Sequence, residues 1–214
     1  MPITINGSGT VTGLAVGGLP DGIVDTDTLA NNAVTSAKSS LSTGKIGQVI
    51  QSIKSDAYQN GATSFYDMAG TDQNGSGSIF CVKITPTATS SKILVLMDLV
   101  FSCNDAYHMN MRRGIGGTDT TLYIGDAVTN KKSHTMGGRH SLSNVPSLSW
   151  RHNLHHNVVY LDSPSTTSEV TYKTQWKVEE SGYDIKFNYN WKDGDDSRDS
   201  VRSASSITCM EYLA

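Results

Sequence analysis

"VTYKTQWKV", residues 170–178, alternates without a break. Val170, Tyr172, Thr174, Trp176 and Val178 fall on one parity, Thr171, Lys173, Gln175 and Lys177 on the other. Successive side chains of a strand point to opposite faces, so this stretch predicts a strand with one buried and one wet face. The pattern recurs just downstream. Tyr183, Ile185, Phe187, Tyr189 and Trp191 alternate with Asp184, Lys186, Asn188 and Asn190, predicting a second strand of the same kind over 183–191.

Working back along the chain, short strand-like runs continue to residue 45. "KIGQVIQSIKSD" (45–56), "GSIFCVKITPT" (77–87), "SSKILVLMDLVFSC" (90–103), "YHMNMRR" (107–113), "TTLYIGD" (120–126) and "HNVVYLDS" (156–163) each carry β-branched or aromatic residues between turn residues. "SSITCMEYLA" (205–214) closes the chain as a terminal strand. Residues 93–97, Ile-Leu-Val-Leu-Met, are apolar on both parities. A strand without a polar face lies in the middle of something thick or is covered by a neighbouring subunit. Eight to ten strands with turn punctuation, and no helical period between them, predict an all-β antiparallel sandwich or jelly roll over residues 45–214.

Bulk composition agrees. Of 214 residues, 37% are hydrophobic and 17% charged, with 20 glycines, a profile of many turns and no helical enzyme core. The net charge of −3 supplies no basic field for nucleic acid or an anionic membrane, and no apolar run is long enough to insert into a bilayer. Cys81, Cys103 and Cys209 are widely spaced, odd in number and set in apolar runs. They read as buried thiols serving as small hydrophobes, with assembly in a reducing cytoplasm.

The first 44 residues differ from the rest. Residues 1–20 contain no charged side chain, and their apolar residues alternate with Thr, Gly and Asn, which argues against a secretory signal. Segments 3–6 and 10–14, joined through "GSG", read as a hairpin, and an isolated hairpin is marginal in water. Ile3, Ile5, Val11 and Leu14 are the groups with which it can anchor to another chain. "GIVDTDTLANNAVTSAK" (22–38) makes two ten-residue passes around Val24 and Val34. Leu29, Ala33, Ala37 and Leu41 fall four apart, and Asp25 or Asp27 is placed to cap a short helix. The stripe is too weak to fold alone, but copies packed around an axis can bury it.

No catalytic motif emerges. "SWRHNLHHNV" (149–158) gathers Trp150, Arg151, His152, His155 and His156, but it runs into a strand, which sends His155 and His156 to opposite faces. A metal site, a loop or interface role, and contact with a ligand all stay open there. "WKDGDDSRD" (191–199) clusters Asp193, Asp195, Asp196 and Asp199 without the Gly and Glu positions of an EF-hand, so it reads as a solvated loop or a weak Ca²⁺ contact. The glycines of "RRGIGG" (112–117) lack the lysine and the strand-to-helix setting of a phosphate loop and read as a hairpin turn. Glu179-Glu180 reads as two carboxylates splayed on a turn. Neither enzymatic activity nor a cofactor or metal is expected.

Two stretches carry a resemblance. "ITINGSGTVTGLAVGGLPDGIVDTDTLANNAVTSAK" (3–38) resembles the N-terminal segment of fibre proteins of tailed bacteriophages, especially those of marine and freshwater bacteria and cyanobacteria. The skeleton from "KIGQVIQ" to "SSITCMEYLA" looks like the C-terminal domain of the same proteins, its least generic pieces being "ITPTATSSKILV" (84–95) and "LDSPSTTSEVTYK" (161–173). The resemblance implies a homotrimer with an N-terminal virion anchor over 1–20, a short helical or intertwined shaft over 21–44, and a β-sandwich head over 45–214. It implies a virion protein, assembled in the host cytoplasm, that joins other virion proteins through its N-terminus and meets a host-surface glycan or protein with its head. The alternative is a capsid head fibre, decoration or tail adaptor without receptor binding. Val24, Leu29, Val34 and Ala37 are the expected shaft residues. Trp150, Arg151, His152, Asp193, Asp195 and Asp196 are the candidate receptor-facing residues. Neither nucleic acid binding nor membrane insertion is expected.

Overall fold

The computed structural model describes residues 4–5, 11–12, 45–128, 132–139, 153–190 and 200–213. The chain divides into two compact units, Met1–Thr43 and Gly44–Ala214. In the first, strands β1 (Thr4–Ile5) and β2 (Val11–Thr12) pair antiparallel, with Ile5 opposite Val11. They fall within the 3–6 and 10–14 segments expected, whose other residues lie outside the described residues. The proposed shaft residues lie outside the described residues.

The second unit is an all-β antiparallel sandwich. Its strands are β3 (Lys45–Lys54), β4 (Tyr58–Asn60), β5 (Tyr66–Asp67), β6 (Cys81–Ile84), β7 (Lys92–Cys103), β8 (Ala106–Ile115), β9 (Thr118–Leu122), β10 (Met136–Arg139), β11 (Leu154–Asp162), β12 (Val170–Val178), β13 (Ile185–Phe187) and β14 (Ser205–Leu213). These twelve among the described residues exceed the eight to ten anticipated because β4, β5 and β10 are too short to leave a clear alternation in the sequence. In the first sheet β7 is central. It pairs with β11 along one edge and with β14 and then β13 along the other, and β3 and β4 lie outside those two. In the second sheet β8 and β12 are central, flanked by β9 and β10 on one side and by β5 and β6 on the other.

The pleat decides which side chains enter. Val170, Tyr172, Thr174, Trp176 and Val178 of β12 are all buried, as the opening alternation requires, and they face Ile93, Val95, Met97, Leu99 and Phe101 of β7 in one core. Phe101 and Phe187 from the first sheet meet Trp176 and Tyr107 from the second. Ring centroids are 4.7 Å apart for Phe101 and Trp176 and 5.0 Å for Trp176 and Phe187, in edge-to-face geometry. Each such ring, fully buried, contributes about 2–3 kcal/mol by area, with a further fraction from the edge-to-face contact. Trp176 Nε1 is satisfied by donating to Thr174 Oγ1 at 2.9 Å, which explains a threonine on the inward parity.

The strand expected over 183–191 is corrected. Only Ile185–Phe187 is extended; Asn188 sits at φ +62°, which ends the alternation. Asn188, Tyr189 and Asn190 are then all buried irrespective of parity. The left-handed backbone is tolerable for asparagine and fixed by its contacts. Asn188 Nδ2 donates to the carbonyls of Lys54 (2.8 Å) and Asp56 (3.0 Å), and its Oδ1 accepts from Ser205 Oγ at 2.7 Å. This knot joins the β3–β4 connection to β14. At the β8–β9 turn, Gly116 (φ +57°) and Gly117 (φ +82°) form the two-residue left-handed turn that favours glycine.

Candidate functional site

The two outward faces of the sandwich differ in kind. The second sheet presents the wet parity of β8 and β12, and its charges are knitted together. Lys173 is held between Asp67 (2.9 Å) and Asp119 (2.8 Å). Burial pulls the Lys173 ammonium down, but the two carboxylates outweigh it and the net direction is upward. Arg112 donates to Thr121 and to the Asp119 carbonyl. Glu179 gathers Lys132, Lys177 (3.4 Å) and His108 (3.0 Å), and the two lysines hold its carboxyl well below the usual carboxylate range.

Beside that carboxylate, His108 and His134 lie tilted by 50° with ring centroids 4.5 Å apart, and Phe65 meets His134 edge-to-face at 5.2 Å. His134 Nδ1 lies 3.2 Å from Asn110 Oδ1. Burial pushes both histidines below their ordinary value, against the pull of Glu179. Two shallow depressions open on the same face. One, of about 510 Å³, is lined by Gly114, Gly116, Gly117, Asp119, Glu169 and Lys173, and the other, of about 330 Å³, by Ser76, Gly77, Ser78, Ile79 and Lys83. Thr171 and Lys173 border both. The bare glycine turn keeps the rim of the larger one low. Chemically this is a mixed-charge, hydrogen-bonding surface suited to polar ligands.

The outward face of the first sheet is apolar. Ile46 (56% exposed), Val49 (56%) and Ile53 (60%) project from β3, and Val159 (62%) and Leu161 (50%) from β11. Between them lie half-buried Leu94, Leu96 and Met210 and exposed Tyr212. The pairing registers place Val49, Met210, Leu94 and Leu161 in one row across four strands, and Gln51, Thr208, Leu96 and Val159 in the next. Among the described residues, charge on this face includes Lys92 at one end of β7, Asp98 further along it, and Lys186 of β13 beyond. Asp98 Oδ1 is 3.7 Å from His155 Nδ1. Apolar side chains on both parities of 93–97 were the sequence signal for this face. The β3 contribution was masked, because a register shift between Met210 and Tyr212 breaks the period of "KIGQVIQSIK".

Of the histidine cluster, His155 points outward and His156 inward, as a strand requires. His156 Nε2 meets Tyr107 Oη at 2.6 Å and its ring lies 4.9 Å from Phe101. Burial pushes His156 below its usual value. Trp150, Arg151, His152, Asp193, Asp195 and Asp196 lie outside the described residues, as do Ile3 and Leu14. Ile5 and Val11 are paired across the hairpin. Glu179 is tied into the network above, not splayed into water as expected, because Lys132 and Lys177 converge on it. All three cysteines are buried free thiols, and burial raises each, Cys103 to about 11. Among the described residues no group of His, Cys, Asp and Glu is arranged to hold a metal ion, and no helix is long and apolar enough to cross a membrane.

No family model and no curated protein matches the sequence. Among solved structures the chain is similar to one titled "Structure of infectious bursal disease virus Gx strain", with a TM-score of 0.29 and 12% identity. The match covers 77% of this chain and 41% of that chain, so the protein spans about two-fifths of its length.

Proposed function

We propose that this protein is a non-enzymatic structural component of a bacteriophage particle, a short homotrimeric fibre. Residues 1–20 anchor it to other virion proteins, residues 21–44 form the shaft, and the sandwich is a head that meets a glycan or protein of the host surface. The observation that carries the reading is the opposite character of the two sheet faces. A head with one apolar face to cover and one charged, hydrogen-bonding face to display suits a repeated surface element of an assembly. The sequence resemblance of residues 3–38 and of the 84–95 and 161–173 stretches to phage fibres points the same way. A weak N-terminal fifth that cannot bury a core alone also fits a segment ordered by its neighbours.

The test is adsorption. Labelled full-length protein is expected to bind host cells saturably and to compete with adsorption of the phage. Detection of the chain in purified particles without cell binding favours the second reading, a capsid fibre, decoration or tail adaptor with the same fold and no receptor. Absence from purified particles sinks both.

A further inference from the structure

We propose that the apolar face of the first sheet is where copies of this chain meet, the β3 rim of one copy packing on the β11 rim of the next in a closed ring. The copy number in the ring, three, rests on the fibre reading above; the choice of face does not.

The face exposes roughly 500 Å² of apolar side chain, at the upper end of what a monomer leaves in water. With the polar residues around it, that area approaches the roughly 800 Å² per partner of a standard specific interface. Its residues identify the occupant. Both rims of the same surface are apolar, Ile46, Val49 and Ile53 on one side and Val159 and Leu161 on the other. A copy of the face is therefore a complement to the face. Among the described residues no strand pairs with the outer edge of β11.

A lipid surface is disfavoured by the charge. A membrane-lying face carries a dense basic margin, whereas here Lys92 and Lys186 are far apart with Asp98 between them, and the chain's net charge is −3. Rotation about an axis running along the strands keeps each residue at its own height. Val49 of one copy then meets Leu161 of the next, since the two share a row.

Full-length protein carrying both Val49→Cys and Leu161→Cys, mildly oxidised, is expected to give a covalent ladder that ends at the native oligomer mass. Either single variant should stay uncross-linked; Cys103 and Cys209 are enclosed in the core, and Cys81, which borders the depression on the other sheet's outer face, is changed by Cys81→Ser in every variant. In parallel, Leu161→Glu should lower the mass seen by light scattering to that of a monomer, with an unchanged far-ultraviolet spectrum. A wild-type monomer at micromolar concentration overturns the proposal and the trimer together, and leaves the N-terminal unit or a foreign partner as the cover. A wild-type oligomer that survives Leu161→Glu and does not cross-link overturns the choice of face alone. Cross-linking by a single variant replaces the ring with a twofold pairing, and also overturns it.

Discussion

Arg113 Nη1 lies 2.8 and 3.0 Å from the two carboxylate oxygens of Asp162, inside the sandwich, tying the centre of one sheet to the edge strand of the other. The Tyr172 hydroxyl donates to the same carboxylate at 2.6 Å. Asp162 is 3% exposed, so removing one partner strands a buried charge. Breaking such a pair costs about 3–5 kcal/mol, whereas losing one neutral donor costs about 1. Asp162→Ala is therefore expected to lower the unfolding free energy by about 3 kcal/mol or more, and Tyr172→Phe by about 1. Urea titrations of both variants check this, and equal losses contradict it.

Acid is expected to loosen the head. His108, His134 and His156 are each held below their ordinary value of 6.5, chiefly by burial. Below pH 6.5 the unfolded chain thus binds more protons than the folded one. The stabilisation is complete above that value and is lost as pH falls toward the folded values. The melting temperature should fall from neutral pH to about pH 5, and His156→Gln should fall less over the same range. Parallel decreases in the two proteins count against His156 as a contributor.

Asn188 separates backbone strain from hydrogen bonding. Asn188→Ala places a methyl-bearing residue at φ +62° and removes three buried side-chain contacts. Asn188→Gly relieves the first effect only. Expected losses are about 3 kcal/mol for alanine and about 1 less for glycine, read by thermal or chemical unfolding. Equal losses make the backbone term negligible.

Removing residues 1–20 tests the anchor. The truncated chain is expected to remain folded and to be excluded from assembled particles. Its incorporation at wild-type level places the attachment elsewhere.

The fold was legible because β12 pays out one residue to each face in turn, with Trp176 and Tyr172 marking the inner one. The same reading overran at Asn188. Alternation of residue types cannot reveal a left-handed backbone, and what holds it is contact with Lys54, Asp56 and Ser205, far away in sequence. The stretches that carried the fibre resemblance turned out to contain interior carboxylate networks. Asp162 lies in one. Thr87, in the other, donates its backbone amide and hydroxyl to buried Glu211 at 2.6 and 2.8 Å. The polar face was harder to see, because Glu179, His108 and Lys132 converge only through pairing of distant strands. The apolar face was half visible, in the two-sided run at 93–97 but not in β3.

The burial of Cys81, Cys103 and Cys209 gives the sandwich an internal clock. Attack by a thiol reagent requires a thiolate, and raised, enclosed thiols supply almost none at neutral pH. For Cys103 and Cys209, which lie in the core, modification then waits on separation of the two sheets, whereas Cys81 borders a depression on the outer face of the second sheet. The rate at which alkylating label enters Cys103 and Cys209 measures how often the head opens, without any probe having to be introduced.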